Sequence, residues 1–211
     1  MAEIAAVYGS PRRKGNTTNL LKHAVEGARD AGADVTEIVL RDLKISPCLE
    51  IYGCKQTGRC VIKDDFRQIE PLLDRMDGMM LASPIFFYAV SAHTKAFMDR
   101  CNAFWVKKYW IDKKPFGKKT YPRKGLFVSV GSTGGKRLFD GAILSVRYFM
   151  DALDMELWQS LVFRHIESEG DILEHPDMLK DAYDAGMALA RELSNGGGLQ
   201  PPAVELTKKE S

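Results

Sequence analysis

Residues 9–18 concentrate groups that bind anions. They read Gly-Ser-Pro-Arg-Arg-Lys-Gly-Asn-Thr-Thr and lie between an apolar run, residues 4–8, and a segment whose apolar residues recur at helical spacing. A loop between a strand and a helix receives the unpaired N–H groups and the positive dipole end of that helix. We therefore expect this loop to bind a phosphate group.

Side chains in the same loop add further donors. Those that we expect on the phosphate are Ser10, Arg12, Asn16, Thr17 and Thr18. Gly15 would let the backbone turn closely around the oxygens. The loop has neither G-x-x-x-x-G-K-[ST] nor G-x-G-x-x-G, so a terminal phosphate such as that of FMN fits better than a nucleoside triphosphate or a dinucleotide. The alternative is that Asn16 or Thr17 only caps the helix, which leaves most of the donors unexplained.

Two other loops have compositions that suit a flat ring system. Residues 83–91 are apolar and aromatic. This composition predicts that a ligand ring system contacts Pro84, Ile85, Phe86 and Phe87. Local core packing or contact with another subunit is the alternative. The glycine-rich loop of residues 131–135 can approach a ligand closely. We expect it to place N–H donors near the polar edge of the ring, and the donor residues are Ser132, Thr133, Gly134 and Gly135. An ordinary turn before the next helix is the alternative there.

The elements that would position these loops follow a β-α-β rhythm. Apolar runs at residues 4–8, 35–40, 79–82, 126–130 and 157–163 alternate with segments of helical periodicity. They predict an α/β flavodoxin-like, doubly wound five-stranded parallel sheet with order 2-1-3-4-5 and helices on both faces. The second and fifth runs contain polar residues, which favours edge positions. All three loops would then meet at the carboxyl ends of the strands, where such folds bind ligands.

Three segments together resemble a known family. They are residues 9–17, residues 47–65 with their cysteines, and residues 83–100. Their order and spacing are similar to the NADPH-dependent FMN reductase and iron-sulfur flavoprotein-like group of flavodoxin-fold proteins. The resemblance implies FMN phosphate at the donors of residues 10–18 and the flavin ring at residues 84–87. It also implies NAD(P)H as electron donor and assembly as a homodimer or homotetramer.

The cysteine segment departs from the iron-sulfur members of this group. They resemble Pro-Cys-x-x-Cys-x-x-Cys followed by Gly-x-Cys, whereas this chain has Cys48, Ile51, Cys54 and Cys60 in that order. Four thiolates normally hold a four-iron cluster, so we expect no cluster here. Zinc at three cysteines is chemically possible, but tight C-x-x-C pairs are absent. Cys101 is expected as a small buried hydrophobe, and we predict no metal site.

Residues 105–119 interleave lysines with aromatic residues. We expect a solvated surface loop first and a flap over an anionic cofactor second. Binding of single-stranded nucleic acid and lining of a subunit interface are further possibilities for such a pattern. The formal charge of the chain is only +2, which argues against nucleic acid as a partner.

Length and composition indicate one domain. The chain has 211 residues, and we expect a flavodoxin-like FMN-binding domain over 1–195 and a flexible C-terminal tail over 196–211. No apolar run is long enough to span a bilayer, and no leader segment is evident, so the sequence predicts a cytoplasmic protein without a membrane partner.

The function that these features predict is an FMN-dependent NAD(P)H oxidoreductase. Electrons would pass through the flavin to a quinone, a flavin or another small acceptor, and no catalytic acid, base or nucleophile is expected. The alternative is a flavodoxin-type electron-transfer protein that serves a protein partner. A response-regulator-like domain is disfavoured because the loop after the first strand is cationic, where that function needs acidic groups.

Overall fold

The computed structural model describes residues 1–116 and 123–196. One sheet has five parallel strands in the order β2-β1-β3-β6-β7. These strands are β1 (Glu3–Tyr8), β2 (Asp34–Val39), β3 (Gly78–Ala82), β6 (Arg123–Val130) and β7 (Met155–Phe163). Two short strands, β4 (Ile85–Phe86) and β5 (Ala89–Val90), form a separate antiparallel pair. The predicted order of the five long strands and their parallel direction are confirmed.

Helices cover both faces of the sheet. They are α1 (Asn16–Asp30), α2 (Cys54–Thr57), α3 (Phe66–Arg75), α4 (Ala92–Arg100), α5 (Asn102–Val106), α6 (Asp140–Ala152) and α7 (Pro176–Ser194). Residues of β1 alternate between two hydrophobic cores, because successive side chains of a strand point to opposite faces. Ile4 packs with α1 and α7 on one face, and Ala5 packs with α3, α4 and α6 on the other.

Burial along the strands follows from their places in the sheet. Every residue of β3 is buried, as expected for a central parallel strand. The edge strand β2 alternates between buried residues such as Val35 and exposed ones such as Glu37. The Tyr8 hydroxyl of the neighbouring strand β1 donates to the Glu37 carboxylate at 2.7 Å. The predicted edge positions of the second and fifth long strands are thus confirmed.

Helices α1 and α7 approach each other very closely. A Cβ on Gly186 would lie 1.9 Å from the carbonyl oxygen of Ala24, so only glycine fits at this crossing. The contact ties the C-terminal helix to α1, whose first turn borders the loop of residues 9–18. The close packing thereby helps to fix the position of that first turn.

The expectation of a surface loop over residues 105–119 is wrong for its first part. Residues 105 and 106 end α5, and Lys107–Ile111 form a π-helical turn in which Asp112 N–H donates to the Lys107 carbonyl at 2.8 Å. Lys108 is buried and its Nζ lies 3.0 Å from an Asp154 carboxylate oxygen. The alternation of lysines and aromatic residues did not indicate a helix, because Lys108 points inward to a carboxylate. Residues 117–122 lie outside the described residues.

The predicted division of the chain at residue 195 stays a prediction. Helix α7 ends at Ser194, and residues 197–211 are not among those described. Across the described ranges, no helix has both the length and the apolar character that crossing a membrane requires.

Candidate functional site

A cleft of about 180 Å³ lies at the carboxyl ends of β1, β3, β6 and β7. It brings together residues from four loops that are far apart in the sequence. The predicted site residues that line it are Ser10, Arg12, Gly15, Asn16, Thr17, Pro84, Ile85, Phe86 and Ser132. The switch point of the sheet is therefore a real concavity, and its composition is both polar and apolar.

The first turn of α1 forms one wall of the cleft. Its N-cap is Gly15, no side chain caps the turn, and the turn contains no acidic residue. A helix begins with N–H groups that lack intrahelical partners, so an uncapped first turn offers them to an anion. The alternative in which Asn16 or Thr17 only caps the helix does not hold for this geometry.

Thr17 has a buried hydroxyl that the surrounding protein does not satisfy. Its side-chain oxygen has no hydrogen-bond partner within residues 1–116 and 123–196, and the residue is 1% exposed. Buried hydroxyls are normally hydrogen-bonded, because leaving one unpaired costs about 1–3 kcal/mol. The same residue lines the cleft. A ligand oxygen in the cleft would satisfy it.

Ser10 and Thr18 shape the loop itself. The Ser10 hydroxyl oxygen accepts from Arg12 N–H at 3.1 Å, and the Thr18 hydroxyl donates to the Arg12 carbonyl at 3.2 Å. A Cβ on Gly15 would stand 2.6 Å from the Ser10 hydroxyl oxygen, so the loop closes tightly against glycine. Thr18 is buried but is not among the residues that line the cleft.

The Asn16 side chain makes hydrogen bonds that the sequence did not predict. Its amide NH2 donates to the Ser168 carbonyl at 2.7 Å, and its amide oxygen accepts from the N–H groups of Gly170 and Ile172. The side chain therefore ties the loop after β7 to the start of α1. Its contribution to a phosphate would come through its backbone.

Arg12 is the cation nearest to the cleft on this loop. Its guanidinium is half-exposed and lies 3.9 Å from the Glu169 carboxylate, which is a loose contact. An exposed pair at this distance is worth little. The guanidinium can therefore exchange Glu169 for an anionic ligand at low energetic expense.

The aromatic loop after β3 is a tight hairpin. Pro84, Ile85 and Phe86 line the cleft, but Phe87 is fully exposed and does not. Phe87 and Tyr88 form its two-residue turn with φ of 51° and 61°. Both values lie in the left-handed region, where Asn-Gly is the preferred pair.

Replacing Phe87-Tyr88 by Asn-Gly is expected to raise the free energy of unfolding by about 1 kcal/mol, because the left-handed conformation strains both aromatic residues. Chemical denaturation of both proteins measures the change. Tyr148→Asn is the control, since Tyr148 is also exposed but helical. Equal or lower stability of the hairpin variant would show that the aromatic rings compensate for the strain.

Only some of the site residues predicted in the loop after β6 line the cleft. Ser132 lines it, whereas Thr133, Gly134 and Gly135 do not. A Cβ on Gly134 would lie 2.8 Å from the His165 ring, and Arg164 Nε donates to the Gly135 carbonyl at 3.3 Å. The far half of this loop is thus held by the segment that follows β7.

Sequence reasoning missed several lining residues. These are Pro11, Val130, Gly131, Ile166 and Glu167. Pro11 and Gly131 adjoin predicted residues, and the strand periodicity could have indicated Val130 as the last residue of β6. Ile166 and Glu167 follow the fifth long strand, whose carboxyl end belongs to the same edge of the sheet. No local signal distinguished them.

The cysteines are not arranged as a metal centre. Across residues 1–116 and 123–196, no group of three or more His, Cys, Asp or Glu side chains is placed to hold a metal ion. Cys60 Sγ accepts a hydrogen bond from Arg100 Nε at 3.2 Å. Cys101 is fully buried in the core, as expected for a small hydrophobe. The residues present therefore do not fit an iron-sulfur cluster.

Known proteins resemble this chain in sequence. A family model described as NADPH-dependent FMN reductase matches residues 2–161. An iron-sulfur flavoprotein of Methanocaldococcus jannaschii is 38% identical over 98 residues, 46% of this chain and 51% of that protein. One of Archaeoglobus fulgidus is 36% identical over 106 residues, 50% of this chain and 54% of that protein. The chain spans about half the length of these curated relatives.

Solved structures share the fold. A flavone reductase superposes with a TM-score of 0.67 at 18% identity, over 92% of this chain and 63% of its own. An NADH:FMN oxidoreductase gives 0.58 at 17% identity, over 89% of each chain. An archaeal flavodoxin gives 0.53 at 15% identity, over 92% of this chain and 99% of its own. The architecture is therefore flavodoxin-like.

Proposed function

The chain belongs to the NADPH-dependent FMN reductase family, and from that premise we propose that it is an FMN-dependent NAD(P)H oxidoreductase. It would pass electrons from a reduced nicotinamide to a quinone, a flavin or another small acceptor. When bound, FMN supplies the capacity to accept a hydride and to release electrons. The protein binds and orients that cofactor.

Thr17 gives the strongest support for FMN as the ligand. Thr17 lines the cleft beside the uncapped first turn of α1, and its buried hydroxyl has no hydrogen-bond partner among the described residues. A phosphate monoester offers acceptor oxygens to that hydroxyl and to the N–H groups of the turn. The half-exposed Arg12 would add a charge-assisted contact.

The cleft would enclose only one end of the cofactor. Its volume of about 180 Å³ is below the 300–1,000 Å³ typical of pockets for whole ligands. We propose that the phosphate end occupies it and that the ring lies over Pro84, Ile85 and Phe86. The outer ring face would then stay open to a nicotinamide and an acceptor.

Two features of the chain would serve electron transfer without a catalytic acid or base. Ser132 would place a hydroxyl and a backbone N–H near the polar end of the ring, where reduction adds negative charge. The apolar side chains of Ile85 and Phe86 would keep water from one ring face. No side chain needs to move a proton in this scheme.

A spectrum of the purified protein, followed by FMN titration and steady-state assay, tests the function. We expect flavin absorption bands, or their appearance when FMN is added to the apoprotein. We then expect oxidation of NADH or NADPH with a quinone, riboflavin or ferric acceptor. Failure to bind FMN would refute the site, whereas binding without nicotinamide oxidation would refute only the reductase activity.

A flavodoxin-type electron-transfer protein is the second candidate. Fully exposed Phe87 and half-exposed Phe86 lie at the rim of the cleft, where a redox partner could contact them. That function predicts an FMN-loaded protein that is reduced by a partner protein and not by free nicotinamide.

We also propose that the protein assembles as a homodimer or homotetramer. Its cytoplasmic location stays a prediction.

A further inference from the structure

Gly53 and Val61 close the neck of a small loop that contains Cys54 and Cys60. Helix α2 begins at Cys54, and Gly58 ends it in the left-handed conformation, with φ of 70°. The chain then returns so closely that a Cβ on Gly53 would lie 2.5 Å from a Val61 methyl carbon. Cys54 follows Gly53 and Cys60 precedes Val61, so this turn brings the two cysteines toward each other.

Arg100 is a fully buried cation that faces this loop. Its guanidinium pairs with the Asp64 carboxylate at 2.5 and 3.1 Å and also donates to the Ser46 carbonyl at 3.0 Å. Its Nε is directed at Cys60 Sγ, at 3.2 Å. A charged N–H donor at a sulfur binds the thiolate more strongly than the thiol, and the thiolate is the nucleophilic form.

The charges around Cys60 do not act in one direction. The Glu70 carboxylate accepts the backbone N–H of Cys60 at 2.9 Å, and Asp64 balances the charge of Arg100. The directed Nε–H···S bond therefore distinguishes Cys60 from its neighbours, more than the net local charge does. Burial raises the pKa of the Cys54 thiol, and the nearby Cys60 and Cys48 add to that effect.

We propose that Cys54 and Cys60 form a peroxide-reactive dithiol in which Cys60 is the attacking sulfur. The Cys60 thiolate attacks one oxygen of a hydroperoxide, so that an S–O bond forms, the O–O bond breaks and hydroxide or alkoxide leaves with the electron pair and takes up a proton. Cys60 is oxidised by two electrons to the sulfenic acid, and the peroxide is reduced.

Cys54 then completes the reaction. Its sulfur attacks the Cys60 sulfenic sulfur, an S–S bond forms, the S–O bond breaks, and the thiol proton leaves with the hydroxyl group as water. The product is an intramolecular disulfide that an external dithiol can reduce. The loop of residues 53–61 thus has a redox chemistry of its own, separate from the cleft.

Thiol labelling of the full-length protein tests the order of reactivity. At pH 7 we expect iodoacetamide to modify Cys60 about ten-fold faster than Cys54, because the Arg100 Nε–H is directed at the Cys60 sulfur whereas burial raises the pKa of the Cys54 thiol. Peptide mass spectrometry measures both rates in the same sample. Equal rates, or faster labelling of Cys54 or Cys48, would overturn the assignment of Cys60.

Peroxide treatment without any nicotinamide tests the dithiol independently of the proposed reductase activity. Stoichiometric hydrogen peroxide should give a Cys54–Cys60 disulfide that dithiothreitol reverses. Cys54→Ser should accumulate a dimedone adduct at Cys60, and Cys60→Ser should give neither product while retaining its circular dichroism spectrum. Cys48→Ser is the matched control, because Cys48 lines a different cavity of about 590 Å³ and should leave the disulfide unchanged. Absence of the Cys54–Cys60 disulfide in the wild type, or a dimedone adduct at Cys54 in Cys60→Ser, refutes the proposal.

Discussion

Thr17→Val is expected to weaken FMN binding by about 10–100-fold, because it removes a hydrogen bond to a charged ligand worth about 1.5–3 kcal/mol. The same change should leave the free energy of unfolding of the apoprotein unchanged or slightly raised. The Thr17 hydroxyl is buried and has no partner in the part of the chain that the structure describes, so valine of the same shape removes a desolvated polar group. Opposite effects on affinity and stability are the signature of a ligand-satisfied group.

Fluorescence titration of the apoprotein with FMN gives the affinity, and urea denaturation without FMN gives the stability. Thr18→Val is the matched control, because the Thr18 hydroxyl donates to the Arg12 carbonyl. That control should lower the apoprotein's stability by about 0.5–1.5 kcal/mol, the net value of an ordinary hydrogen bond. A Thr17→Val protein that loses stability and keeps its FMN affinity would contradict the proposed phosphate site.

Asp64→Ala should lower the free energy of unfolding by about 3–5 kcal/mol, since it leaves a buried guanidinium without its counter-charge. Arg100 is fully buried, and Asp64 bridges its two terminal nitrogens. Asp64 also accepts from the backbone N–H groups of Ser46 and Phe66. One carboxylate therefore joins the cysteine segment, the start of α3 and the end of α4.

Urea denaturation compares the wild type with Asp64→Ala and with the milder Asp64→Asn, which keeps part of the hydrogen bonding. Asp184→Ala is the control, because Lys180 and Asp184 form an exposed pair on α7. An exposed helical pair contributes little to stability, because solvent screens it. A loss at Asp64 no larger than that at Asp184 would mean that the buried pair does not stabilise the fold.

The stabilisation from Asp64 should depend on pH in a defined direction. Burial raises the pKa of its carboxyl, but the hydrogen bond from Arg100 and those from two backbone N–H groups outweigh burial and lower it. A lowered folded-state pKa means that the stabilisation is fully present above the unfolded value of about 3.9. It is lost as the pH falls through the lower folded value. The stability difference between wild type and Asp64→Ala should therefore shrink on acidification below about pH 4.

The strand order and the helical layers could be read from local patterns. Continuous apolar runs indicate central parallel strands, and polar interruptions indicate edges, because each pattern reports whether one or two faces are buried. The short hairpin β4–β5 was not predicted, since its turn uses Phe87 and Tyr88 in place of the usual Asn-Gly.

The candidate site was predictable in its location and less so in its individual side chains. Three donor-rich or aromatic loops follow strands, and parallel strands bring their carboxyl ends to one edge. Phe87 and Gly134 belong to the right loops but do not line the cleft. Loop composition names the segment, whereas the direction of each side chain is set by neighbours that sequence spacing does not reveal.

The sequence by itself determined the sheet and its order, and it predicted the loop of residues 9–18 as an anion-binding element. Only the tertiary structure decided which groups remain free there. Asn16 is engaged by residues 168–172, more than 150 positions away, while the Thr17 hydroxyl has no partner among the residues described. Likewise, Arg100 reaches Cys60 across 40 positions. Periodicity is a local property of the chain, but a hydrogen-bond partner is chosen by three-dimensional packing.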